Sequence, residues 1–133
     1  MKKVFVNGCF DILHPGHISL FKYAKSLGDI VLVAIDTDAR VMSLKGRSRP
    51  INSLKERTIM LECIKYIDKV VSFDSDKSLE KIVKEYSPDI MVVGSEYKDK
   101  KVVASEFAKE VKYFEKIKGY STTKTIKNIS GGR

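Results

Sequence analysis

Asn7-Gly8-Cys9-Phe10-Asp11-Ile12-Leu13-His14-Pro15-Gly16-His17 separates the apolar run Val4-Phe5-Val6 from the helical pattern that begins Ile18-Ser19-Leu20-Phe21. A strand, a glycine-bearing turn and a helix are thereby predicted in direct succession. A helix start presents unpaired backbone N–H groups and the positive end of the helix dipole, and Gly8 and Gly16 let an anion come close to the main chain. Pro15 suits the first helical turn, where a missing N–H costs nothing. His14 and His17, three residues apart, are expected on one side of that turn, facing whatever it holds. Near the positive helix end an imidazolium is disfavoured, so both rings are expected to be neutral donors suited to charge developing on a phosphate. Two ordinary turn histidines, or a zinc pair, are the competing readings. These are the only two histidines in the chain, and no cysteine or carboxylate cluster completes a zinc-ligand spacing.

Working outward, strand-like and helix-like runs alternate. Ile30 to Ile35 forms a strand after the turn Gly28-Asp29. Ser53 with Glu56 three later reads as a capping box, followed by apolar Ile59, Met60, Cys63, Ile64 and Ile67. Val70 to Phe73 reads as strand, Ser78 to Tyr86 as helix, Ile90 to Val93 as a buried strand after Pro88, and Val111 to Phe114 as the last strand. This alternation predicts an α/β fold, a single Rossmann-like domain with a mainly parallel sheet and helices on both faces. It is expected to span residues 1–129, with a flexible tail over 130–133. Ligands of such sheets bind outside the carboxyl ends of the strands, where Gly8, Asp36 and Gly94 fall.

A length of 133 residues with 43% apolar composition fits one domain able to bury a core. No apolar stretch approaches a membrane span, and Met1-Lys2-Lys3 runs straight into a strand rather than a secretory apolar region, which predicts a cytoplasmic protein. Cys9 and Cys63 form neither a Cys-x-x-Cys pair nor a disulfide framework. The net charge of +8 raises the question of a nucleic-acid surface. The lysines are spread through the whole chain and aromatics do not interleave with them, so a solvated surface that helps capture anionic nucleotides and sugar phosphates is the expected role.

Three further segments carry candidate chemistry. Asp36-Thr37-Asp38 follows the second strand, where a carboxylate can face a nucleotide or simply cap a turn. Leu44-Lys45-Gly46-Arg47-Ser48-Arg49-Pro50-Ile51-Asn52 reads as a loop with three cations. Lys45 is the expected phosphate ligand there, while Arg47 and Arg49 read equally as phosphate contacts or as a solvated basic loop. Gly119-Tyr120-Ser121-Thr122-Thr123-Lys124 places hydroxyls after a turn glycine at a new helix start, a second anion cradle in which Ser121 can cap.

The run Gly8 to His17 resembles the signature of the cytidylyltransferase-like nucleotidyltransferases, with their His-x-Gly-His element set after a strand and a Gly-x-Phe-Asp lead-in. Gly119 to Thr123 is similar to the C-terminal signature of the same family, and the resemblance runs from Val4 to Ile129. It implies that Gly8, Cys9, Phe10, Asp11, His14, His17, Gly94, Tyr120, Ser121, Thr122 and Thr123 bind nucleotide. It also implies that His14, His17 and Lys45 serve catalysis, and that Asp38, Lys45 and Arg57 meet the second substrate. A nucleoside triphosphate normally arrives with Mg²⁺, whose ligands spacing does not identify. The resemblance further implies a homodimer acting on a nucleoside triphosphate and a sugar or polyol phosphate. Within the family, Leu44-Lys45-Gly46 through Asn52 and Val92 to Tyr97 resemble the adenylyltransferases that convert ATP and D-glycero-β-D-manno-heptose 1-phosphate to ADP-heptose for lipopolysaccharide, although Ser95-Glu96 stands where that branch often has Gly-Asp. Some heptose enzymes carry a fused sugar kinase, for which a chain of this length has no room. The glycerol-3-phosphate cytidylyltransferases, which make CDP-glycerol from CTP, usually have Arg-Thr-Glu-Gly where this chain has Lys116-Ile117-Lys118-Gly119, and arginine where it has Lys65. That branch is the alternative, with a non-catalytic nucleotide-binding module or a basic nucleic-acid binder as the readings from other classes.

Overall fold

Val4 and Val6 alternate with Phe5 along one strand, and Val31, Val33 and Ile35 with Leu32 and Ala34 along the next, every one of them buried. Strands apolar on both faces must be covered on both faces, which a parallel sheet wrapped by crossover helices achieves. The computed structural model, which describes residues 1–117 and 119–130, has this arrangement. Strands β1 (Lys3–Gly8), β2 (Ile30–Asp36), β3 (Lys69–Phe73), β4 (Ile90–Gly94) and β5 (Glu110–Phe114) form one sheet in the order β3-β2-β1-β4-β5, all pairs parallel. Helices α1 (Pro15–Ser26) and α3 (Leu54–Glu62) bring Phe21, Ala24 and Leu61 onto Val4, Val6, Val31 and Val33. On the other face α4 (Asp76–Tyr86) brings Leu79 and Val83 onto Phe5, Leu32, Ala34 and Met91. Two further helices, α2 (Asp38–Lys45) and α5 (Thr122–Ser130), lie at the carboxyl edge of the sheet.

The structure moves several expected boundaries. Helix α1 begins at Pro15 rather than Ile18, because His14 supplies the cap. Helix α4 begins at Asp76, with Ser75 as its cap. The capping box of Ser53 and Glu56 forms, but α3 ends at Glu62, and Ile59 and Met60 are exposed while Arg57 and Leu61 are buried. Helix α2 has no counterpart in the sequence reading. Only Val41 of its eight residues is buried, so no apolar stripe announced it. Ser130 closes α5 instead of opening a tail, and residues 131–133 of the expected tail lie outside the described residues. Among the described residues no helix is long and apolar enough to cross a membrane.

Strand order positions the site. The chain steps outward from β1 to β2 and β3, then returns to lay β4 on the opposite side of β1. The connections leaving β1 at Gly8 and β4 at Gly94 therefore run to opposite sides, and a crevice opens between them, as at the switch point of other open parallel sheets.

Candidate active site

The chain leaves β1 through Phe10, whose backbone is left-handed (φ 50°). A bulky residue there is strained and persists only where its surroundings fix it. Here the ring is buried, 5.0 Å from the Phe21 ring and edge-on to His17 at 5.2 Å. His14 is the N-cap of α1, and its Nδ1 accepts the N–H of Gly16 at 3.1 Å. His17, three residues on, returns the bond: its Nδ1 accepts the N–H of His14 at 3.3 Å. With both Nδ1 atoms accepting, each neutral ring carries its proton on Nε2. The two rings stack at 3.7 Å between centroids. Gly16 makes this possible, since a Cβ there would meet the His14 ring at 2.9 Å.

Burial, then the neighbouring His14 ring and the Lys116 and Lys45 ammonium groups, hold the His17 imidazole down to about 4. Burial and Lys116 lower His14 as well. At neutral pH the pair therefore offers Nε2–H donors without charge of its own. Burial pushes the Cys9 thiol up, so it stays protonated and is no nucleophile.

Tyr120 stacks on His14 at 5.9 Å and 18°, extending the histidine pair into a three-ring column. Behind it Ser121 Oγ accepts the N–H of Lys124 at 3.0 Å and so caps α5, while the Thr122 hydroxyl donates to the carbonyl of Ile12 at 2.9 Å. The C-terminal motif is thus docked on the turn that precedes α1. Between the two lies a cleft of about 340 Å³.

Its walls include Gly8, Cys9, Phe10, Asp11, His14, His17, Gly94, Tyr120, Ser121, Thr122 and Thr123, with Lys45 reaching in from the end of α2. Asp11, though at the wall, has its carboxylate occupied: it accepts the N–H groups of Ile51 and Asn52, each at 2.8 Å, and Nε of Arg49 at 3.3 Å. It fastens the basic loop rather than offering a free oxygen to a ligand. Two expected substrate contacts take other places. Arg57 is 1% exposed and spends its guanidinium on the carbonyls of Asn52, Cys9 and Asp36 and on the Asp38 carboxylate. Asp38 is its partner at 2.7 Å, and neither residue reaches the cleft wall. Asp36 pairs with Arg40 at 2.8 Å. Of the loop cations, Arg47 is exposed, Lys45 lines the cleft from an exposed position, and Arg49 is buried in the wall.

Glu96 and Lys116, 3.6 Å apart, also line the cleft; the sequence marked both as departures from family patterns but gave neither a role in the site. The signal that could have found them was that departure, together with their proximity in sequence to Gly94 and Gly119. Among the described residues no group of three or more His, Cys, Asp or Glu could hold a metal ion. The carboxylates in the wall, Asp11 bound by loop amides and Glu96 beside Lys116, do not make a resident metal site.

A family model described as cytidylyltransferase-like matches residues 5–130. The chain is 48% identical over 128 residues to the bifunctional protein HldE of Campylobacter fetus, covering 96% of this chain and 28% of that protein. With HldE of Helicobacter hepaticus it is 47% identical over 128 residues, 96% of this chain and 26% of that one. It thus spans about a quarter of the length of these curated relatives. Among solved structures, a lipopolysaccharide core biosynthesis protein from Thermoplasma volcanium superposes with a TM-score of 0.70 at 28% identity, covering 91% of this chain and 99% of that one. Pantothenate synthetase from Thermus thermophilus superposes with a TM-score of 0.62 at 12% identity, over 88% of this chain and 56% of that one, a likeness of fold alone.

Proposed function

The chain belongs to the cytidylyltransferase-like family, and from that premise we propose that it is an adenylyltransferase joining ATP to D-glycero-β-D-manno-heptose 1-phosphate, with ADP-heptose and pyrophosphate as products. One observation carries the reading: two capped helix starts, α1 with its neutral histidine pair and α5 with its hydroxyls, converge on one cleft at the switch point of the sheet, with Lys45 at its rim. That is a site for a polyphosphate, because oriented N–H groups and uncharged donors hold anionic oxygens without competing charge.

The reaction is an in-line displacement. A phosphate oxygen of the sugar phosphate bonds to the α-phosphorus of ATP, the bond from that phosphorus to the α,β-bridging oxygen breaks, and the electron pair leaves with pyrophosphate. The attacking phosphate is already anionic, so no general base and no protein nucleophile are required. His14 and His17 donate through Nε2–H to oxygens gaining charge, Lys45 follows the phosphates on its long stem, and the α5 start holds the departing end. Mg²⁺ is expected to arrive on the triphosphate, held by phosphate oxygens and water.

The choice of ATP and of the heptose phosphate rests on the resemblance of residues 44–52 and 92–97 to that branch and on the identity to the HldE proteins. The test is pyrophosphate release from ATP and CTP, each paired with heptose 1-phosphate, glycerol 3-phosphate and other sugar phosphates. ATP with the heptose phosphate is expected to be fastest by a wide margin. Preference for CTP with glycerol 3-phosphate would move the chain to the other branch, and nucleotide binding without turnover on any pair would make it a binding module.

A further inference from the structure

A guanidinium has five N–H donors and no acceptor, and burying one without partners is rare in folded proteins. Arg49 is 9% exposed. Its Nε faces the Asp11 carboxylate at 3.3 Å and its Nη1 the Thr123 hydroxyl at 3.4 Å. Its Nη2 is shielded from solvent and has no hydrogen-bond partner among the described residues. Arg57, at 1% exposed, has all three of its nitrogens engaged. The fold is thus able to satisfy a buried guanidinium, and at the cleft wall it does not.

We propose that Arg49 is a phosphate-binding residue of this enzyme, donating from Nη2 to an anionic oxygen seated against the start of α5. The proposal rests on the nucleotidyltransferase reading of the cleft. Three observations converge on it. Arg49 lines the same cleft as His14, His17 and Lys45, and it touches both cradles, through Asp11 of the first motif and Thr123 of the second. Its two bonds are long for a charged donor, for which about 2.7–2.9 Å is usual, so the fork is placed without being locked. The start of α5 lies against the neighbouring Nη1 through Thr123, and it is a surface able to yield, because no residue of α5 is buried and its start is docked through hydroxyl bonds of Thr122 and Thr123. An anion entering there gives Nη2 its missing acceptor and can replace the weak Thr123 bond, receiving two parallel N–H groups. Asp11 meanwhile keeps the guanidinium plane fixed and reduces its net charge, which lets the site release pyrophosphate. A lysine would keep the charge and lose the fork.

Calorimetric titration with inorganic pyrophosphate, with and without Mg²⁺, tests this on the wild type, Arg49→Lys and Arg49→Gln, alongside their melting curves. Both variants are expected to weaken pyrophosphate binding about 10- to 100-fold, the loss that follows from one charge-assisted hydrogen bond. AMP binding is expected to change little. A folded Arg49→Lys protein that binds pyrophosphate like the wild type would overturn the assignment, as would a wild type that turns over substrates yet shows no pyrophosphate binding. If pyrophosphate binding depends on Arg49 but no triphosphate and sugar phosphate pair reacts, the anion site stands and the catalytic reading falls.

Discussion

At the amino ends of the strands, three carboxylates each close a backbone donor: Asp29 takes the N–H of Lys2 at 2.7 Å, Asp68 that of Val31 at 2.7 Å, and Asp89 that of Lys3 at 2.8 Å. At the carboxyl ends a single cleft gathers two Nε2–H donors, an exposed lysine and one buried guanidinium nitrogen, none with a protein acceptor among the described residues. The three amino-edge carboxylates are spent on the backbone, whereas the cleft at the other edge presents donors suited to an anion. Stability and function are therefore expected to separate along the strand axis. Arg57 marks the boundary, because it sits at the functional edge and yet is spent entirely on structure.

The largest expected effect is at that boundary. Arg57→Met leaves the carbonyls of Cys9, Asp36 and Asn52 without their donor, at a typical cost of about 1–3 kcal/mol for each acceptor left unpaired away from water, while the half-exposed Asp38 carboxylate can turn to solvent. Denaturant unfolding should show that loss directly. Pyrophosphate binding per folded molecule should persist, and if it vanished while the fold held, Arg57 would belong to the ligand after all.

His17→Ala should separate the two edges from the other side. Removing one oriented donor to developing charge costs about 10²- to 10³-fold in turnover, so steady-state pyrophosphate release should nearly disappear while unfolding remains cooperative. Wild-type-like turnover would remove the histidine pair from the mechanism. The same ring carries a pH signature. Its folded-state pKa, about 4, lies below the ordinary 6.5, so the stability that comes from its neutral form is present above 6.5 and is lost as pH falls toward 4. Nitrogen chemical shifts of the two histidines should show Nε2–H tautomers at pH 7 and a neutral His17 still at pH 5.5. An imidazolium at that pH would contradict the capping geometry, in which Nδ1 must accept.

Much of the functional edge was legible because its signals are local. The turn after β1 and the hydroxyls before α5 announce helix starts by residue type, and the strands announce a parallel sheet because each is apolar on both faces. What escaped depends on distant partners. Nothing near Arg57 marks it as buried, and the apolar Ile59 and Met60 beside it suggest the opposite helix face. Arg49 turns inward while Arg47 faces out because Asp11, thirty-eight residues earlier, holds one and not the other. Helix α2 buries a single side chain, so its sequence carries no period to read.

The smallest expected effect tests the quiet edge. Burial alone would raise the Asp68 pKa, but the Lys25 ammonium and the N–H of Val31 hold it below the usual carboxylate range. The side chain is about a third exposed, so Asp68→Ala should cost only about 0.5–1 kcal/mol at pH 7. A lowered carboxylate pKa means this stability is present above the unfolded value and disappears as pH falls through the folded one, so variant and wild type should converge in acid. Pyrophosphate release at pH 7 should be unchanged, because Asp68 lies at the opposite end of β2–β3 from the cleft. A drop in turnover larger than the lost folded fraction would mean that strain at the amino edge reaches the crevice, through the strands or along α1, which runs from His14 and His17 at the cleft to the Lys25 that pairs with Asp68, and the separation of the two edges would fail.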